Sequence, residues 1–344
     1  MRRPYFELSK SKVMEQYKTV NKLSDIVSYS SKTNPHVTPI LEENTDCMFS
    51  VHNLNELRHI KDKTRILFLA QGWDDEEISY LLDEGISRFA VDNEHDLDRL
   101  LNHIEDTRNQ VELFLRVKMK ENSVRTERHF VFGFGSSFVN ENIMSLKNNK
   151  SIRSLGIHFH KKTQNISEWD LVSEIEEMFD DNVFTSIDHL NIGGGLPSIY
   201  ANTNTKIFEH IYNKISEFKD WLNEKDVIMI IEPGRFISAP STRLVTHIKL
   251  IHDNNIIVDA SVYNSDLDAI LVPIKLMVEG EKEKDEGDPY VIKGITPCSM
   301  DIFRYRVYLN DPKIGDEIVF LNAGAYNFTS DFCDLEKLET IVVD

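Results

Sequence analysis

RILFLAQGWDDEEISYLLDEGISRFAV (65–91) is the segment that sets the fold class. It opens with an apolar run, RILFLA (65–70), and closes with another, SRFAV (87–91). Between them DDEEISYLLDEG (74–85) is acid-rich, with its apolar residues spaced near 3.6, the period of an amphipathic helix. Continuous apolar runs that do not alternate with polar residues suit strands buried on both faces, as in a parallel sheet covered by helices.

The same texture recurs on either side. Further strand-like runs are IVSYSS (26–31), CMFS (47–50), VELFLRV (111–117), RSLGIHF (153–159), IDHLNI (187–192) and VIMIIE (227–232), and KIFEHIYNKISEFKDWLNEK (206–225) is another amphipathic spacer. Eight strands with helices between them close naturally into a (β/α)8 barrel of the TIM type, an α/β fold. After residue 240 the texture changes to turn-separated β-rich runs, RLVTHIKLIHD, NNIIVDAS, PYVIKGI, RYRVYL and DEIVFLNAG, which predict a C-terminal antiparallel β domain. The expected organisation is an N-terminal strand within 1–20 that pairs with the β domain, a barrel over 21–240 and the β domain over 241–344. The charged run EGEKEKDEGD (279–288) is a solvated loop on this reading.

The bulk numbers set limits on function. With 344 residues, 41% of them apolar, the chain has ample material for a large core, and its net charge of −18 disfavours nucleic acid or an anionic membrane as partner. Three cysteines, Cys47, Cys298 and Cys333, include no CxxC pair, so neither a disulfide framework nor a zinc cluster is expected. The start, MRRPYFELSKSK, lacks an apolar segment behind its arginines, and VIMII (227–231) is too short to span a bilayer. A soluble, cytoplasmic protein is the expectation.

In such a barrel the side chains at the carboxyl ends of strands face the active site. Lys32 ends the first strand in SYSSKTNP (28–35), either as a solvated strand end or as an amine held at the mouth of a pocket. His160 follows the sixth strand, NIGGGLP (191–197) follows the seventh, and IIEPGRFISAP places Glu232, Gly234 and Arg235 after the eighth. The glycines allow a tight turn that aims backbone N–H groups at an anion, or are only a flexible turn. Arg235 has the fork geometry for a phosphate, and Glu232, if shielded from water, needs a cationic partner. LNAGAYNF (321–328) puts Tyr326 beside a glycine turn in the β domain. His158 and His160 are taken to face opposite sides of their strand, so no metal site is expected.

Six segments, SSKTNP, GIHFHKKTQ, NIGGGLP, IEPGRF, TPCSMDIF and NAGAY, occur in the order used by a known family. Over nearly its whole length the chain resembles the pyridoxal-phosphate decarboxylases of the ornithine, diaminopimelate and arginine group, which have an alanine-racemase-type barrel and a β domain. The resemblance implies that Lys32 meets the aldehyde of pyridoxal 5′-phosphate, that His160 stacks on the pyridine ring and that Glu232 pairs with the ring nitrogen. It implies further that Gly194, Gly195, Arg235 and Tyr326 hold the phosphate and that Gly234 is among the cofactor-binding residues, with Thr163 near a position where the family often has serine. A carboxylate at the ring nitrogen strengthens an electron sink, which suits decarboxylation better than racemisation.

The sequence also departs from the family. In GITPCSMD (294–301), anchored on Asp301, the usual proton-donating cysteine position falls on Pro297, and Cys298 stands where an acid is usual. Either the loop shifts by one residue and Cys298 returns the proton, or another group does. VDASVYNSDLDAILVPIKL (258–276) matches the segment that senses the far end of the substrate, with Asp266 and Asp268 as its candidates, beside Cys298 and Asp301 in the loop. Lys161 and Lys162 stand where the family has an apolar residue and glycine, as substrate-carboxylate ligands or, more simply, as solvated flank residues.

The expected function is therefore decarboxylation of an amine-bearing amino acid of the ornithine or lysine type, in polyamine or related amine biosynthesis, by a homodimer with shared active sites. Carboxynorspermidine, carboxyspermidine or a conjugated ornithine of siderophore pathways is an alternative substrate. Two further functions suit the same fold, those of an amino-acid racemase and of a catalytically silent regulatory homologue.

Overall fold

The computed structural model describes residues 3–119, 132–328 and 332–344. Eight strands form one closed barrel in the order β2 to β9. They are β2 (Ile26–Ser30), β3 (Met48–Val51), β4 (Ile66–Leu69), β5 (Arg88–Val91), β6 (Val111–Arg116), β7 (Ile152–His158), β8 (His189–Asn191) and β9 (Ile228–Ile231), and β1 (Tyr5–Ser9) precedes them outside the barrel. Neighbours pair in parallel throughout, and β2 closes the ring by pairing Ile26 with Ile230 and Val27 with Ile231 of β9.

Each observed strand lies within two residues of the run that announced it. The helix over 75–83 starts where the acid-rich segment suggests. Asp74 accepts from the Glu77 backbone N–H and the Glu77 side chain accepts from that of Asp74, a reciprocal cap. Leu67, Ala90, Phe114 and Ile230 come from four different strands yet form one buried cluster, which only the barrel lumen allows.

The chain divides into two compact units, one of residues 18–197 and 206–234 and the other of 1–17, 198–205 and 235–344. In the second unit β12 (Met277–Val278), β15 (Glu317–Leu321), β10 (Thr242–His252), β11 (Asn255–Val258), β13 (Asp288–Lys293) and β14 (Ile302–Leu309) follow one another across the sheet. β1 pairs antiparallel with β10 and parallel with β16 (Glu339–Val343), and β11 also pairs in parallel with β13, so the sheet is mixed rather than purely antiparallel. Tyr200 joins this unit's apolar core, and the segment around it is tied in where Ala201 N–H donates to Lys275 C=O at 2.8 Å.

Two short helices, Val262–Ser265 and Leu267–Leu271, interrupt what the sequence presents as β-rich. Ser261 explains the first of them: its hydroxyl accepts from Tyr263 N–H at 3.2 Å while Asn264 Oδ1 accepts from Ser261 N–H at 3.1 Å.

Candidate active site

In the barrel unit the chain leaves β2 through a single 3-10 turn, Ser31–Thr33, which carries Lys32. The turn is pinned on both sides: the Ser31 and Thr38 hydroxyls lie 3.1 Å apart, and Tyr29 Oη donates to the Asn34 carbonyl at 3.0 Å. Gly234 belongs to the same wall. A Cβ there would collide with the Thr33 hydroxyl and approach Ser30 Cβ to 3.2 Å, so the backbone after β9 can lie against the lysine turn only without a side chain.

Lys32 is exposed by surface area, yet its amine is lowered from the ordinary value, first by desolvation; Glu56 and Glu232 oppose the shift and Arg116 adds to it. A side chain both accessible and desolvated projects into a concavity. That combination suits the second reading of Lys32, an amine held at the mouth of a pocket.

Glu232 follows β9 and is 4% exposed. Asn191, at the end of β8, donates from Nδ2 to its Oε1 at 2.8 Å, and His158 Nε2 lies 3.5 Å from its Oε2. Burial alone would raise this carboxyl, but His158, His52 and the Asn191 amide together bring it down to about 2. Glu232 is thus a buried carboxylate that stays charged.

His160 lies two residues beyond the end of β7 at His158, and burial pushes its imidazole down to about 3 against the pull of Glu232. It is a neutral ring at neutral pH. An added Cβ at Gly194 would meet the His160 ring at 3.7 Å, so the first glycine turn after β8 runs directly beside that ring. Gly195 adopts φ +109, open to glycine alone at low cost, and its carbonyl accepts from Asn165 N–H at 2.8 Å. Thr163 is half-buried in the same β7 loop, two residues before Asn165.

Several barrel groups escaped the sequence reading. Residues two apart on a strand share a face, so the expectation that His158 and His160 point opposite ways is corrected: both lie beside Glu232. Among the described residues no group of three potential ligands could hold a metal. Arg116, ending β6, is held down by burial in the field of Asp92 and Glu232, and His52 sits 3.8 Å from Glu56. Strand-end position was the available signal for Arg116 and His52. Lys161 is not a solvated flank residue; it is buried and paired with Glu174, while Lys162 pairs with Glu168 at 2.7 Å.

The second unit holds the remaining candidates. Arg235 is buried and forks onto Asp268 through both terminal nitrogens, with Nη2 to Oδ1 at 2.8 Å, while Nη1 also donates to Tyr200 Oη at 2.8 Å. The Tyr326 ring centroid lies 5.3 Å from the guanidinium carbon. Asp266 is fully buried beside Asp268, neither of its oxygens has a hydrogen bond among the described residues, and burial drives its carboxyl well up.

Asp301 is buried and committed to the loop around it. Its Oδ1 accepts from Val262 N–H at 2.9 Å, and its Oδ2 accepts from the Thr296 N–H at 3.0 Å and hydroxyl at 2.6 Å. That fold leaves Cys298 exposed, with its sulfur 2.8 Å from Tyr263 Oη, and the Tyr263 hydroxyl lowers the thiol from its ordinary value.

A family profile described as pyridoxal-dependent decarboxylase, pyridoxal binding domain, matches residues 10–239. The chain belongs to this family. A pyridoxal-phosphate-dependent decarboxylase is therefore what the barrel serves, and its relatives are spread widely. The chain is 26% identical over 300 residues to a Staphylococcus aureus 2-[(L-alanin-3-ylcarbamoyl)methyl]-2-hydroxybutanedioate decarboxylase, covering 78% of this chain and 74% of that one. It is 22% identical to the diaminopimelate decarboxylase of Bacteroides thetaiotaomicron, covering 87% and 83%. In fold it resembles the Vibrio vulnificus lysine/ornithine decarboxylase crystallised with cadaverine, with TM-score 0.80, 23% identity and coverage of 99% and 94%.

The decarboxylase barrel fits the cofactor on its own geometry. It offers an amine of lowered basicity, a neutral imidazole with glycine beside it and a buried carboxylate kept charged, the complement of an aldehyde, a flat ring and a protonated ring nitrogen.

Proposed function

We propose that the protein removes the α-carboxylate of an amine-bearing amino acid of the ornithine, lysine or diaminopimelate type. The observation that carries this is the convergence of Lys32, His160 and Glu232 at the strand ends of one barrel. Bound pyridoxal phosphate supplies the electron sink for the carbanion that loss of carbon dioxide leaves behind. Lys32 would hold the cofactor through its aldehyde, and desolvation favours the unprotonated, nucleophilic form that this needs. His160 would lie against the ring as a neutral plane, Gly194 and Gly195 would hold the phosphate, and Glu232 would keep a proton at the ring nitrogen. Cys298 remains the candidate proton donor, since its exposed, tyrosine-assisted thiol suits that task.

One observation favours a second reading, in which the substrate is a larger conjugated amino acid. Asp268 is consumed by Arg235, and Asp266 is buried and driven toward its neutral form, so neither presents a charged carboxylate to a simple distal ammonium. The S. aureus relative, named for a substrate that is an alanine amide of a hydroxy polycarboxylate, points the same way. The active species is a homodimer on this proposal, working in amine biosynthesis.

Carbon dioxide release by the cofactor-loaded protein discriminates these readings. The panel is L-ornithine, L-lysine, L-arginine, meso-diaminopimelate, carboxyspermidine and a citryl-conjugated 2,3-diaminopropionate. Release from a simple diamino acid supports the first reading, release only from a conjugate supports the second, and racemisation without release would overturn both.

A further inference from the structure

His158 is 1% exposed, ends β7, and has no role of its own toward cofactor or substrate. Neither of its ring nitrogens has a hydrogen-bond partner among the described residues. A buried imidazole without a partner gives up its hydration with nothing in exchange, a cost that needs a reason. The acceptor within reach is Glu232, whose Oε2 lies 3.5 Å from His158 Nε2, while Asn191 already donates to Oε1 at 2.8 Å. The distance is long for a hydrogen bond, as contacts at functional sites often are before a ligand completes them.

We infer that His158 is a positioning residue for Glu232: its ring N–H, set against Oε2, holds that carboxylate as a charged acceptor for the cofactor's ring nitrogen. The inference rests on the reading of Glu232 in the preceding subsection. Two donors, one per oxygen, fix the plane of the carboxylate and lower its own affinity for a proton. The proton shared between carboxylate and ring then stays on the ring, where it strengthens the electron sink. Other groups act on the same carboxylate. Arg116 from β6 and His52 from the loop after β3 add positive field, Lys32 faces Glu232 from the turn after β2, and His160 lies two residues past His158, beyond the end of β7. Among these histidines, His158 is the one with a ring nitrogen within 4 Å of Glu232.

The test uses holoprotein carrying pyridoxal phosphate labelled with ¹⁵N in its ring. Wild-type protein is expected to show a protonated ring nitrogen across pH 6–9. His158→Leu is expected to move the signal toward the unprotonated position and to lower kcat by roughly ten- to a hundredfold with KM little changed. His158→Gln, whose amide nitrogen reaches nearly as far as Nε2, is expected to restore the wild-type signal. A wild-type signal in His158→Leu overturns the inference even if activity falls, because that pattern is merely structural. If His158→Leu yields no folded holoprotein, His158→Asn, whose amide stops short of Nε2, takes its place: a shifted signal supports the inference and a wild-type signal overturns it. Wild-type protein that retains no cofactor would instead overturn the underlying reading.

Discussion

Two buried ionic clusters, one in each unit, handle charge in opposite ways. In the second unit the Arg235 guanidinium and Asp268 carboxylate meet fork to fork, with Tyr200 and Tyr326 around them, so positive and negative charge cancel within hydrogen-bond distance. In the barrel Glu232 is equally buried but is attended by a neutral amide and by histidines, the nearer at 3.5 Å, and among the described residues no lysine or arginine pairs with it directly. A closed pair maintains itself, whereas a charge kept ionised without a full counter-charge is prepared for one that arrives with a ligand. The contrast separates a self-neutralised pair in the second unit from a carboxylate in the barrel that stays charged.

The difference between the two clusters is open to mutation, and the greatest effect belongs to the barrel. Lys32→Ala is expected to abolish turnover, by on the order of 10⁴-fold or more, while the fold persists by circular dichroism; full activity would remove the barrel mouth from the mechanism. Asp268→Ala leaves Arg235 unpaired in a dry site and is expected to destabilise the protein by about 3–5 kcal/mol in urea titration, while replacing both partners with apolar residues of similar size costs far less. Equal losses in the single and double variants would show that the pair is not a self-contained unit.

Acid provides the next test, read as thermal midpoint against pH on the cofactor-free protein. His160 is held below its unfolded value, so its contribution is present above about pH 6.5 and is lost as pH falls toward about 3; Glu232 follows, lost between about 4.5 and 2. Together they make the protein less stable on acidification, by about 3 kcal/mol for His160 alone between pH 6.5 and 4. His160→Phe is expected to flatten that slope, though not entirely, since burial lowers His52 and His189 in the same direction. Last, Cys298→Ser, on an exposed loop, is expected to leave stability within about 0.5 kcal/mol and to change turnover and product stereochemistry only. A large stability loss there would make the thiol a packing residue.

The barrel was legible because its strands are continuous apolar runs whose period does not depend on distant partners. Lys32, His160 and Glu232 were legible for a related reason: each lies just past a strand, where this fold gathers side chains. What the chain hides is pairing over distance. Arg235 and Asp268 are 33 residues apart, and nothing local to either announces that the arginine's fork is already filled. Asp266 and Asp301 look like available acids in the sequence, yet one is sealed away from partners and the other spends one oxygen on Thr296 of its own loop and the other on the distant Val262 N–H. His158 was misjudged by its strand parity, although the sequence contained what was needed.

Above all, Lys32 has to be the amine that receives the cofactor. Borohydride reduction of the holoprotein followed by peptide mass spectrometry interrogates that one bond. A single reduced pyridoxyl adduct is expected on the peptide containing Lys32, absent from Lys32→Ala. An adduct on Lys161, Lys162 or any other lysine, or none at all in a protein that still releases carbon dioxide, would contradict the assignment.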